Sequence, residues 1–442
     1  MRYVVDHSWQ RFGSTVMAGS PLRLFRLTAG GTDAVADIEE NRDVGASRLV
    51  RRLLDAGAIH PAAGGTATFT PDDVTVVTPQ LGGRCHVDGR LTVDDGSEPP
   101  LDGAAVRLPV NRGPAAARNA ARPLVTSPLV AFVDADVELP PADDWLVPLL
   151  PHFDDARVGL VAPRVTGEPG SPLDLGSEPA RIRAGTRVSY VPAAVIVVRA
   201  EAFDAVGGFD EALRLGEDVD LVWRLDEAGW SCRYEPAAQV WHRPRATWRA
   251  RLAQHRTYGT SAAPLALRHP QALAPMRSNG WTAAALALGL LGRPLAAVTV
   301  GATSAVALIG KLPGVPASTE FALAARGHLA ATRQLATAVR RAWWPLVAVG
   351  ALVSRRARWL ALAAVVADVR SAPTDLAYAT GVWAGMRRHR TLAPILPRIS
   401  AWPARSRPST PPARSRPPTP PARSRPSTPP ARSRPPTPPA KS

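Results

Sequence analysis

Nine residues, Val130 to Glu138 (VAFVDADVE), constrain this chain more than any other stretch. An apolar, β-branched run ends on two carboxylates, Asp134 and Asp136, and reads as a buried strand that stops on acid. Residues two apart on an extended chain point to the same side, so both carboxylates face one object beyond the sheet's carboxyl edge. A divalent cation, Mg or Mn, is the natural object. It offsets the repulsion between the two acids and holds a diphosphate on its open positions. Taken alone, D-x-D is equally an exposed strand end running into a solvated acidic loop.

The segments around it extend the theme. Thr75 to Thr78 (TVVT) reads as a short buried strand, and Leu91-Thr92-Val93 as another that runs into Asp94-Asp95-Gly96-Ser97. Carboxylates and a tight turn at a strand's carboxyl end suit the edge where open α/β sheets bind nucleotides. Asn111 to Ala120 (NRGPAAARNA) starts on Gly-Pro and continues in alanines, a loop capping a helix whose free N–H groups can meet an anion. Trp145 to Phe153 is read as a helix, and Val158 to Pro163 and Val188 to Val198 as strands. In Gly216 to Leu225 (GEDVDLVWRL), Val219, Val222 and Leu225 share one helical face, which puts Glu217 and Asp218 at the helix start. Acids there are favoured by the helix dipole alone, yet three in so short a span, Glu217, Asp218 and Asp220, exceed what capping requires. His242 closes the strand-like Gln239-Val240-Trp241.

Taken in order, D-D-G-S, N-R-G-P-A-A-A-R-N, V-D-A-D, G-G-F-D-E, G-E-D-V-D-L and W-H resemble the family-2 glycosyltransferases, over residues 15 to 310. Ser171 to Gly176, Gly216 to Leu225 and Tyr258 to Pro270 are closer still to one branch of that family. The resemblance implies an α/β chain whose GT-A nucleotide-sugar (Rossmann-like) domain spans residues 71–277. Carried over by position, Asp94 and Asp95 lie beside the uracil and ribose, and Arg118 and Asn119 near the nucleotide phosphates. Asp136, assisted by Asp134, holds the metal with His242 close by. Asp218 is the base, Glu217 stands beside it, and Trp223 is placed at the substrate. The reaction so implied is an inverting, metal-dependent transfer from a UDP-sugar, UDP-glucose, that builds a short β-linked glucan on a small peptide-derived redox cofactor. Transfer to a polyprenyl phosphate or cell-wall glycan is the second enzymatic reading. A shortened paralogue that only binds nucleotide-sugar or peptide is the third, because just Pro79 to Arg90 separates the first strand from D-D-G-S, where the family places a longer helix.

Residues 1–70 read as a small winged-helix-like domain. Ser20 to Thr28 alternates as a strand does, and Ala46 to Leu54 puts Leu49, Val50, Leu53 and Leu54 on one helical face. The module's expected use is docking a peptide or maturation-protein partner; the plainer use is a lid on the next domain. Charge separates the other end. The formal net charge is +16, and residues 278–442 hold 23 Lys and Arg against three acids. Residues 278–400 are rich in apolar runs, among them Pro294 to Gly310, uncharged for 17 residues and marginal for a span of roughly 20. Arginines and tryptophans at the edges of such runs fit helices lying on a membrane surface rather than nucleic acid. Residues 401–442 carry four A-R-S-R-P-[S/P]-T-P-P repeats from Ala404, a disordered Pro/Arg tail. Two cysteines leave no disulfide framework. MRYVVDHSWQRFG lacks a basic start followed by an apolar core, so the expected location is the cytoplasmic side of the cell membrane.

Overall fold

The computed structural model describes residues 1–62, 64, 67–83, 89–167, 171–243 and 247–400. The arginine-proline repeats and Cys85 lie outside the described residues.

The N-terminal part carries β1 (Tyr3–Val5), β2 (Gln10–Phe12), β3 (Thr15–Ala18), β4 (Arg23–Arg26), α1 (Ala29–Glu39), α2 (Arg48–Asp55) and β5 (Ile59–Pro61). Ser47 caps α2 by accepting from Val50 N, and Val50, Leu53 and Leu54 are buried as the helical spacing predicts. These residues close a small core with Val16, Phe25, Val35 and Ile59.

The main sheet is built from β6 (Val74–Gln80), β7 (Leu91–Asp94), β8 (Val106–Arg107), β9 (Leu129–Val133), β10 (Val137–Glu138), β11 (Val158–Thr166), β12 (Ala180–Ile182), β13 (Val195–Arg199) and β14 (Ser231–His242). Its order is β10-β14-β11-β13-β9-β6-β7-β8, with β12 on β14. Strands β9, β6, β7 and β8 run parallel, and β13 lies antiparallel between β9 and β11. Strand β9 is buried on both faces: Val130 and Phe132 enter one core, Leu129, Ala131 and Val133 the other. That is why its sequence is a continuous apolar run. Phe132 stacks with Phe203 and Phe209, ring centroids 5.2 Å away in each case.

Helices α3 (Pro114–Ala120), α4 (Ala200–Ala205) and α5 (Glu217–Glu227) flank the sheet. Trp145 to Phe153 differs from its expected helix. Pro148 and Pro151 remove backbone donors there, and the segment folds as turns ending in a 3-10 helix at Leu150–Asp154. Pro192 likewise shortens the strand expected from Val188, which begins at Val195.

After β14 come α6 (Trp248–Gly259), α7 (Ala262–Arg268), β15 (Arg277–Asn279), α8 (Gly280–Leu290), α9 (Pro294–Leu308), α10 (Ala317–Ala338), α11 (Trp344–Val353), α12 (Arg355–Val366), α13 (Ala372–His389) and β16 (Arg398–Ser400). No helix among the described residues is long and apolar enough to cross a membrane. Helix α13 crosses α6 where both are glycine. A Cβ at Gly385 would stand 2.6 Å from Thr260 O, and at Gly259 or Gly381 it would meet the opposing backbone. Only glycine permits so close an approach.

Candidate active site

The carboxyl ends of the central strands open into a cavity of about 1310 Å³. Strand β9 delivers Asp134 to its floor. There Asp134 N donates to Ala194 O at 2.9 Å, and Oδ1 accepts from Arg118 Nη2 at 2.6 Å. The other terminal nitrogen of Arg118 donates to Glu217 Oε1 at 3.0 Å. Arg118 is buried, with its guanidinium 5.1 Å from the Phe209 ring, so it joins α3, β9 and α5 from inside.

Helix α5 starts on Gly216, held at φ 80°, where a side chain would also crowd Ser261 and Leu265. The turn places Glu217 and Asp218 side by side on the cavity. Burial, then the Asp218 charge, raises the Glu217 carboxyl to about 7 against the opposing pull of Arg118. Burial also raises Asp218, which accepts from Val219 N at 2.8 Å and Ala193 N at 3.3 Å. Two acids that hold their protons more tightly than ordinary carboxyls thus share one wall.

Asp136 stands at the rim. The β10–β14 ladder sets Val137 opposite His242, and His242 Nε2 lies 3.4 Å from Asp136 Oδ2. V-D-A-D and W-H therefore stand side by side at the rim. One carboxylate oxygen and one imidazole nitrogen stand together here, and among the described residues no group of three or more His, Cys, Asp or Glu is placed to hold a metal ion.

The remaining candidates are spread around this centre. Asp95 lines the cavity while accepting from Arg112 N at 2.7 Å and Gly113 N at 2.9 Å, which fixes the loop into α3. Asp94 is wholly buried and accepts from Ser97 N and Leu101 N. Asn119 binds Phe209 in both directions, Nδ2 to its O at 2.8 Å and Oδ1 from its N at 2.9 Å, and so holds the G-G-F-D-E turn. The Trp223 indole donates to Ser189 O at 2.8 Å and packs edge-on against His269. Asp220, the third acid of the motif, accepts from Arg224, Arg268 and His269, tying α5 to α7.

Sequence reading misses one wall entirely. Three of the chain's five tyrosines, Tyr190, Tyr258 and Tyr378, line the cavity with His255 and Arg341. The Arg341 guanidinium lies 4.1 Å from the Tyr378 ring, and Asp375 accepts from Arg341 Nη1 at 3.3 Å and Arg340 Nε at 2.9 Å. A π-helical turn at Val339–Trp343 and the glycine crossing of α6 and α13 bring these residues in. The only local sign is Tyr258 itself, inside one of the resembling segments.

A sheet of this order, with acids gathered at its carboxyl edge, defines a sugar-transferring enzyme of the GT-A type. The chain belongs to glycosyltransferase family 2: residues 93–184 match Glycosyl transferase family 2 and residues 180–387 match Glycosyl transferase family group 2. It is 38% identical over 455 aligned positions to the Pre-mycofactocin glycosyltransferase of Mycobacterium tuberculosis, covering 88% of this chain and 95% of that protein. It is 36% identical over 108 positions to that organism's N-acetylglucosaminyl-diphospho-decaprenol L-rhamnosyltransferase, covering 24% of this chain and 32% of that one. Among solved structures, the mannosyltransferase PcManGT from Pyrobaculum calidifontis, in complex with GDP-Man and Mn2+, superposes at a TM-score of 0.42 with 16% identity. That superposition spans 77% of this chain and 92% of the other.

Proposed function

We propose that this protein is an inverting transferase that moves glucose from UDP-glucose to a hydroxyl of a small peptide-derived acceptor, pre-mycofactocin, and so builds a short β-glucan. The observation that carries this reading is the convergence of Asp218, Glu217, Asp134, Asp136 and His242 on one cavity. The length and identity shared with the mycobacterial relative supply the acceptor.

The uridine lies against the cavity end formed by Pro79, Gln80, Leu81 and Asp95. A divalent metal, Mg or Mn, would be held by Asp136 and His242 with Asp134 behind them, and supplies positive charge against the leaving diphosphate. The acceptor lies along Tyr190, Tyr258, Tyr378 and Arg341, which line the same cavity as Asp218. Its hydroxyl gives its proton to the Asp218 carboxylate as the oxygen bonds to the anomeric carbon. The carbon–oxygen bond to the diphosphate breaks on the opposite face, and its electron pair leaves with UDP. Arg118 fixes Glu217 and Asp134 throughout.

We also propose that the protein works on the cytoplasmic side of the cell membrane. Support comes from α9 and α11, which expose Leu295, Val298, Leu346, Leu352 (80%) and Val353 (89%), and from Arg355, Arg356 and Arg358, exposed at the start of α12.

The test is incubation with UDP-glucose, Mn2+ and pre-mycofactocin, read by mass spectrometry and, for the linkage, by NMR. Hexose additions in β linkage are expected. Turnover only with a polyprenyl phosphate or glycan acceptor, or UDP binding with no turnover, overturns the reading.

A further inference from the structure

A second cavity, of about 670 Å³, lies between α2 and the face of the main sheet that carries β14. Arg233, at the start of β14, forms part of its wall and is only 2% exposed. Its Nε and Nη1 have no hydrogen-bond partner. Burying an unpaired guanidinium costs several kcal/mol, so folded chains rarely leave one without an anion. The neighbours do not relieve it. Arg181 stands opposite Arg233 in the β12–β14 register and adds like charge. Asp155, the nearest acid on the rim, is taken by Arg157, which donates from Nε at 3.1 Å and Nη2 at 2.8 Å. Asp154 accepts from Thr68 N at 2.9 Å. Arg48 and Arg51, exposed on α2, add positive charge at the mouth.

A second unpartnered group narrows the choice of ligand. His152 Nε2 lies 3.0 Å from Glu235 Oε2 and Nδ1 has no partner. With the Glu235 carboxylate accepting at Nε2, that nitrogen carries the proton of the neutral ring, and burial disfavours a second one. The bare Nδ1 then accepts a hydrogen bond. The cavity thus holds a buried cation for an oxyanion and a buried acceptor for an N–H, within walls that include Tyr3, Val50, Leu54 and Pro61. A phosphate ion fills little of the volume of about 670 Å³. We infer that this crevice binds the C-terminal end of a peptide, with its carboxylate on Arg233 and a backbone N–H on His152 Nδ1. The inference rests on, and sharpens, the docking reading of residues 1–70.

The experiment uses the full chain and no sugar transfer, so its failure leaves the transferase reading standing. Thermal melting is followed with acetyl-trialanine as the free acid, the same peptide amidated, and inorganic phosphate at matched ionic strength. The free acid should raise the melting temperature of the wild type, and the amide and phosphate should not. Arg233→Met, an apolar replacement of similar length, should fold with equal or higher intrinsic stability and lose the response. Arg48→Ala/Arg51→Ala leaves the core untouched and should weaken the apparent affinity several-fold, which covers failure of the Met variant to fold. Equal protection by the amide, protection by phosphate alone, no protection at all, or a response retained in Arg233→Met overturns the assignment.

Discussion

Arg118 Nη2 lies 2.6 Å from Asp134 Oδ1, so the central strand's terminal acid is paired with a buried arginine from α3 before any ligand arrives. The same guanidinium reaches Glu217 Oε1 at 3.0 Å, and one cation therefore sets the spacing of acids from two elements. Short charge-assisted bonds in a closed site are worth more than exposed ones, and losing one partner strands the others.

Arg118→Met is expected to leave two carboxylates without a counter-charge and to cost roughly 3–5 kcal/mol of stability. Arg118→Lys keeps the charge but cannot fork, and should fall between. Urea unfolding of the three proteins measures this; a cost below about 1 kcal/mol for the Met variant would remove Arg118 from the centre of the site.

Asp218→Asn preserves shape and hydrogen bonding while deleting the basic lone pair. Transfer should drop by roughly 10²–10⁴ with UDP-glucose affinity almost unchanged and no loss of melting temperature. If Asp218 only starts the helix, Asn serves nearly as well and transfer persists.

Glu217 gives a pH signature. Its folded value of about 7 stands above the ordinary 4.5, so the folded chain holds the proton more tightly than the unfolded chain. That contribution to stability is full below about pH 4.5 and is lost as pH rises through about 7. Glu217→Gln cannot ionise and should gain roughly 1–3 kcal/mol relative to the wild type between pH 5 and pH 8. Parallel stability–pH curves for the two proteins would refute the assignment.

Asp136→Ala and His242→Ala should each weaken Mn2+ binding at least tenfold by calorimetry and cut transfer with it. Wild-type transfer that continues at full rate in excess chelator would exclude a resident metal from the reaction.

Membrane association is expected to follow the exposed helices. Leu352→Glu/Val353→Glu should lose most of its flotation with anionic vesicles, whereas a chain ending at Ser400 should float like the full length. The opposite result would transfer the role to the arginine repeats.

Much of the fold can be read directly from the residues. Val130 to Val133 is apolar at every position because β9 is covered on both faces, and the acids that stop it mark the sheet's carboxyl edge. Gly113-Pro114 starts α3, Gly216 starts α5, and V-D-A-D meets W-H across the β10–β14 ladder. These are properties of a strand, a turn or a motif order, each written in a few neighbouring residues. Where local rules conflict, as at Trp145 to Phe153, the apolar spacing predicts helix and the missing N–H groups of Pro148 and Pro151 prevail.

The through-space choices were decided by tertiary structure alone. Nothing near Arg118 in the chain says that it pairs with Asp134 and Glu217, since Glu217 follows 99 residues later. Nor does any pattern bring Arg341 and Tyr378 to Tyr190 and Tyr258; the glycine crossing of α6 and α13 does so. Arg233 makes the same point in reverse: its sequence neighbours describe an ordinary strand, and only packing against residues 1–70 leaves it buried and unpaired. A charge interacts according to distance and dielectric, and both are set by which distant elements enclose it. The sequence determined which groups could do chemistry here; the packing of strands and helices determined which of them meet.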